Sequence, residues 1–219
     1  MPAVELEGVG KRFGRHWALA HVTFSVDAGR TCLLTGANGA GKTTLLRVLA
    51  TALAPSLGRF RLFGRDARAD VEAIRPRLAL LTHHSHLYGD LSGRENLHIL
   101  TRLVGSPRVS VNSALERVGL EAAADRAVRN YSAGMKRRLG LARVLIARPE
   151  LILLDEPFGQ LDPAGVALME DVIFELKEEG ATLFVTTHDI ARGKRVGDVH
   201  LEMLDGQPVS EPMFIERSA

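Results

Sequence analysis

The first thirty residues alternate apolar and polar positions, with turn signals at Gly8, Gly14 and Asp27-Ala28-Gly29, a pattern that predicts short antiparallel strands. Thr31–Thr35 is then a short, β-rich apolar run, and the stretch from Thr44 to Ala50 sets Leu45, Leu46, Val48 and Leu49 at helical spacing. Phe60–Gly64 reads as another strand and Leu78–Thr82 as a buried one. Helical periodicity follows for about seventy residues. Arg94–Val104 carries Leu97, Leu100, Leu103 and Val104 on one face, and Val111–Val118 repeats the pattern with Leu115, the breaks falling at Gly105-Ser106-Pro107 and Gly119. A helix over Gly134–Ala147 stops at Arg148-Pro149, and Leu151–Leu154 is a fully apolar strand. A helix over Ala164–Glu179, ended by Gly180, leads to the strand Thr182–Thr186. Alternating strands and helices predict an α/β fold with a mostly parallel sheet covered on both faces.

Between the strand at Thr31–Thr35 and the helix after it lies GANGAGKTT, which fits the phosphate-loop spacing G-x-x-x-x-G-K-[ST] in the strand-to-helix context that motif requires. Gly36, Gly39 and Gly41 let the backbone wrap so that N–H groups, with Asn38 and Thr44 beside them, surround phosphate oxygens. The helix behind adds its positive N-terminus. Lys42 is placed for the β- and γ-phosphates and the Thr43 hydroxyl for an oxygen-ligated Mg²⁺. A purely structural glycine turn would need neither the flanking strand and helix nor the Lys-Thr pair. Downstream, LILLDE ends in two carboxylates at the carboxyl edge of the sheet, Asp155 to hold Mg²⁺ through its water shell and Glu156 to polarise the attacking water.

Composition adds exclusions. The 219 residues are 46% hydrophobic and 25% charged, as in ordinary globular proteins, and the net charge of +2, with both signs interspersed, leaves no footprint for nucleic acid. No window approaches a membrane span and the N-terminus lacks a signal-peptide pattern, so a soluble chain kept inside the cell is expected. Cys32 is the only cysteine, which excludes an intrachain disulfide and a cysteine metal cluster.

The segment YSAGM, followed by KRRLGLARVLIARPELILLDEP, resembles the signature motif and Walker B strand of the ABC ATPase family. Ser132 and Gly134 match that signature, whereas Tyr131, Ala133 and Met135 depart from its usual LSGGQ form. The resemblance spans residues 4 to about 205 and implies a P-loop NTPase core with an antiparallel β-subdomain and an inserted helical subdomain. It implies one domain over 1–219, with the nucleotide-binding core at 1–83 and 149–219 and the helical subdomain at 84–148. It further implies that Phe13 stacks on adenine, that Gly159-Gln160-Leu161-Asp162 is a loop crossing a dimer, and that His188 contacts the γ-phosphate. Ser132 and Gly134 of one copy would complete the ATP held by another, so a homodimer is implied, with Lys42, Glu156 and His188 as its catalytic residues. ATP and Mg²⁺ are the implied cofactors, and separate membrane permease subunits the implied partners, which place the chain on the cytoplasmic face of the membrane.

The family commonly has a Mg²⁺-sensing glutamine after the strand that enters the helical subdomain; counted back from Leu87-Tyr88 and Glu95-Asn96-Leu97, His83 takes its place. An imidazole there makes coupling to the partner sensitive to pH. His83, His84 and His86 also fit a metal or haem-iron reading, although the stretch is short and no fourth ligand is visible. That histidine, the compact length and the ENL-rich entry resemble the haem-exporter ATPase of cytochrome c maturation, which makes haem export the expected task. The alternatives are the ATPase of another two-component drug or lipid exporter, and a soluble ABC-type factor of iron–sulfur cluster assembly.

Overall fold

The N-terminal alternation forms two long strands instead of several short ones. β1 (Pro2–Phe13) and β2 (His16–Asp27) pair antiparallel and bury Val4, Leu6 and Val9 with Val22, Phe24 and Val26. Gly8, expected in a turn, is a bulge inside β1: its φ is 58°, its N–H donates to Thr23 Oγ1 at 2.9 Å, and the register shifts between Leu6 and Val9. The chain continues through β3 (Thr31–Thr35), α1 (Lys42–Leu49), β4 (Leu57–Leu62), β5 (Arg65–Asp66), α2 (Val71–Ile74) and β6 (Leu78–Leu81). Helices α3 (Gly93–Val104), α4 (Val111–Arg117) and α5 (Ala133–Ala147) follow. Last come β7 (Leu151–Leu154), α6 (Pro163–Glu178), β8 (Thr182–Thr186), α7 (Ile190–Val196), β9 (Val199–Leu204), β10 (Gln207–Pro208) and β11 (Met213–Phe214). These elements come from a computed structural model that describes residues 1–82, 87–105, 107 and 109–215. His83, His84 and His86, and with them the subdomain boundary expected at 83/84, lie outside the described residues.

Two sheets result. One is antiparallel, in the order β2-β1-β4-β5; the other runs β10-β9-β3-β8-β7-β6, with β11 also on β9 and the strands from β9 to β6 parallel. Strands β3, β7 and β8 are buried along their whole length, which is why their sequences are apolar without alternation. Strand periodicity of two splits their side chains between the two faces. Leu34, Leu151, Leu153 and Phe184 pack with α1 and the antiparallel sheet, where the Phe24 and Phe184 rings lie 6.2 Å apart. Ile152, Leu154, Leu183 and Val185 pack with α5, α6 and the helices before them.

Among those helices, α3 opens on a complete capping box between Ser92 and Glu95. Its expected four-residue apolar stripe is shorter than the periodicity suggests. Leu97 is fully buried and Leu100 packs on the core, but Leu103 is 79% exposed and Val104 38%, because the last turn projects past the core. Tyr131, the first departure in the signature segment, is 5% exposed and its hydroxyl donates to the Ala123 carbonyl at 2.6 Å. It therefore anchors the start of α5 as a buried aromatic with a satisfied polar end.

Candidate functional site

The turn from β3 into α1 is set by Gly36, whose φ of 136° suits glycine alone and whose missing Cβ would lie 2.2 Å from the Met203 carbonyl oxygen on β9. No side chain caps α1, whereas Ser92, Ser110, Ser132, Asp162 and Asp189 cap α3 to α7. The first N–H groups of α1 thus meet the loop without a side-chain acceptor, the arrangement by which helix N-termini hold anions. Lys42, only 8% exposed, turns its ammonium back onto the loop and donates to the carbonyls of Gly36 at 2.7 Å and Ala37 at 3.0 Å. A cleft of about 200 Å³ opens here, lined by Asn38, Gly39, Gly41, Lys42, Thr43 and Thr44 of the loop together with Ala18, Asp155, Glu156 and His188.

The carboxylates reach this cleft from the end of β7. Asp155 is 3% exposed and accepts from the Thr43 hydroxyl at 2.9 Å and 3.2 Å and from the Thr186 hydroxyl at 2.9 Å. Thr186, at the end of the neighbouring β8, also accepts the Glu156 N–H at 2.8 Å, so one hydroxyl sets both acidic residues. Glu156 adopts φ 51°, rare for a residue with a side chain, as β7 gives way to the following turn. His188 Nε2 stands 3.3 Å from Glu156 Oε1, close enough for electrostatic contact but not aligned as a hydrogen bond, and Glu156 Oε1 has no hydrogen-bond partner. The Thr43 hydroxyl and the Asp155 carboxylate, already in contact, form a pair of hard oxygen donors of the kind Mg²⁺ selects. Among the described residues no group of three or more His, Cys, Asp or Glu side chains is arranged to hold a metal.

Two contributors carry no local motif. Thr186 reads in sequence as the polar end of an apolar strand, and only the pairing of β7 with β8 brings it onto Asp155. Arg137, on α5 and 5% exposed, donates to the Asp155 carbonyl at 3.2 Å. Burial lowers its pKa below the usual arginine value, while Asp155 and Glu156 pull it back up. Thr186→Val is expected to destabilise the fold by about 1–3 kcal/mol, because it strips one buried partner from the Asp155 carboxylate and one from the Glu156 N–H. A urea unfolding curve checks this, and an unchanged midpoint would mean that the two groups find other partners.

The remaining candidates lie apart from the cleft. Phe13, at the end of β1, is 50% exposed with the Lys11 ammonium 5.3 Å from its ring centre, and does not line the cleft. Ser132 caps α5, accepting the Met135 N–H at 3.2 Å, and Gly134 sits against the loop 159–162, where an added Cβ would lie 3.2 Å from the Gln160 carbonyl. Neither lines the cleft of its own chain. His83 lies outside the described residues.

Comparison with known proteins gives the family. The chain is 40% identical over 200 residues to the daunorubicin resistance ATP-binding protein of Streptomyces coeruleorubidus, a match that covers 90% of this chain and 63% of that protein. It is 34% identical over 210 residues to the bacitracin transport ATP-binding protein of Enterococcus faecalis, covering 95% of this chain and 68% of that one. The chain thus spans less than two thirds of the first of these relatives. Among solved structures, an ATP-binding subunit of an ABC transporter superposes with a TM-score of 0.87 at 25% identity, over 95% of this chain and 88% of that one. A dimeric ATP-binding cassette bound to ADP and Pi gives a TM-score of 0.88 over 98% of this chain and all of its own length, a likeness of fold at 23% identity. The family model for the ABC transporter matches residues 19–159, from the edge of the phosphate cleft to the turn beyond Glu156. This chain, most of whose length that match takes in, belongs to the ABC transporter family.

Proposed function

We propose that the chain is the ATP-binding and ATP-hydrolysing subunit of an exporter, energising a separate membrane permease. The observation that carries this reading is the convergence of Lys42, Thr43, Asp155, Glu156 and His188 on one cleft from three separate segments of the chain. The loop amides, the α1 N-terminus and Lys42 bind the β- and γ-phosphates of ATP. Thr43 and Asp155 would hold Mg²⁺, which when bound supplies neutralisation of phosphate charge. Glu156 orients and polarises the attacking water, and His188 holds the γ-phosphate beside it. Phe13 offers an exposed aromatic face to the adenine. Ser132, exposed, and Gly134, half-buried, stand at the start of α5 away from their own cleft and complete the site of a second copy, so that ATP favours the dimer and hydrolysis releases it.

Among the described residues no helix is long and apolar enough to cross a membrane, and the chain joins the cytoplasmic face of the membrane through its permease. Tyr88, 60% exposed beside α3, belongs to the surface that meets the permease. The cargo is an antibiotic, peptide or lipid-like molecule: relatives include the daunorubicin resistance and bacitracin transport proteins and a lantibiotic transport ATP-binding protein of Streptococcus pyogenes, 29% identical over 96% of this chain. The haem task expected from the histidine stretch has no counterpart in those names. Purification of tagged Glu156→Gln chain from native membranes with ATP tests the reading. A co-purifying drug or peptide permease supports it, haem-handling subunits would restore the haem expectation, and soluble partners alone would point to an assembly factor.

A further inference from the structure

Helices α6 and α7 meet through a charged cluster outside the phosphate cleft, beside a cavity of about 370 Å³. Glu170, on α6, has a side chain only 10% exposed. Its Oε1 lies 3.6 Å from Arg192 Nε and its Oε2 3.3 Å from Arg195 Nη2, both arginines being on α7. Arg192 has two more contacts. Its Nε lies 3.2 Å from Asp189 Oδ2, and its guanidinium carbon stands 5.4 Å from the centre of the Phe158 ring.

These contacts connect the cluster with the hydrolytic pair. Phe158 lies two residues after Glu156, and Asp189 directly follows His188 and caps α7 by accepting the Arg192 N–H at 2.9 Å. One guanidinium therefore touches the segment that carries the carboxylate, the segment that carries the imidazole, and the buried acid of α6. Thr186 and Thr187 hold the backbone on either side, but the side chains of the pair hold each other weakly: the His188 side chain is 61% exposed, and the 3.3 Å contact between the two is not a hydrogen bond. A planar guanidinium can stack on an aromatic face while its Nε–H, held in the same plane, points at carboxylates; an ammonium is a compact point charge without that fixed geometry.

We infer that Arg192, anchored by Glu170, is a positioning residue that sets His188 against Glu156 for hydrolysis. This rests on the proposed roles of Glu156 and His188 in ATP cleavage. Arg192 does not line the phosphate cleft and acts through the segments it contacts. Arg195 shares Glu170 and adds only a longer-range attraction to Asp189, whereas the close Asp189 contact and the Phe158 stacking belong to Arg192; its side chain is 66% exposed, so it serves as the internal control.

The test is steady-state ATP turnover by the full chain, with kcat and KM resolved. Arg192→Gln is expected to lower kcat by about 10- to 100-fold, the scale of a displacement near 1 Å at a reacting centre, with KM changed by less than about twofold. Arg192→Lys, which keeps the charge and loses the fork, is expected to fall between. Arg195→Gln should remain within about twofold of wild type. A purely structural loss is separated by a double-mutant cycle: added to His188→Ala, Arg192→Gln is expected to cause no further fall in kcat, because it acts through His188. An unchanged kcat, a rise in KM alone, or equal losses in the wild-type and His188→Ala backgrounds overturns the inference. Glu156→Gln measured in parallel separates the two claims. If that variant keeps full turnover, the proposed chemistry fails first; if it loses turnover while Arg192→Gln keeps the wild-type kcat, the positioning role alone is wrong.

Discussion

Glu156→Gln is expected to lower ATP turnover by about 10²- to 10⁴-fold while leaving ATP binding intact. The glutamine is nearly isosteric and keeps the backbone N–H that donates to Thr186, so the turn at the end of β7 and its φ of 51° are preserved. What disappears is the negative oxygen proposed to polarise water beside His188. The Asp155 carboxylate cannot replace it, because it is 3% exposed and already accepts from Thr43 and Thr186. Phosphate release and equilibrium binding of a fluorescent ATP analogue, measured on the same preparation, check the two halves of the expectation. Unchanged turnover would remove Glu156 from the chemistry.

Lys42→Met is expected to act on the other half, weakening ATP binding by about 10- to 100-fold, since a hydrogen bond from a charged donor contributes on the order of 1.5–3 kcal/mol. The fold should survive. Among the described residues the ammonium donates to two carbonyls of its own loop, and the methionine fills a similar length of the same buried position, where Lys42 is 8% exposed. Titration calorimetry with ATP together with a thermal melt distinguishes lost affinity from lost structure. An unchanged dissociation constant would show that the loop amides and the α1 N-terminus hold the phosphates unaided.

The parts of the site legible in the sequence are those whose chemistry is local. GANGAGKTT and LILLDE each announce a phosphate or metal function within a few residues, and the strands that deliver them are apolar enough to be read as buried. Thr186 and Arg137 were not legible, because their partner Asp155 is 31 and 18 residues away and only the neighbouring strand and helix close those distances. Arg192 escaped for the same reason, its contacts belonging to three separate segments. Gly8 shows the opposite error: glycine signals a positive φ, and composition does not distinguish a turn from a bulge inside a long strand. Periodicity likewise marked Leu103 and Val104 as core without knowing where the core beneath α3 ends. The strands after residue 198 escaped prediction because β9 takes its place beside β3 from a distant part of the chain.

The proposed site is divided between two copies, with Lys42, Thr43 and Glu156 on one and Ser132 and Gly134 on the other. Sedimentation of the Glu156→Gln chain with and without saturating Mg-ATP tests this most directly, alongside a Ser132→Arg version whose ATP affinity is measured separately. A divided site gives a monomer without nucleotide, a dimer with it, and a monomer again when Ser132→Arg is added although ATP still binds. A chain that stays monomeric while saturated with ATP, or a dimer indifferent to Ser132→Arg, would contradict it.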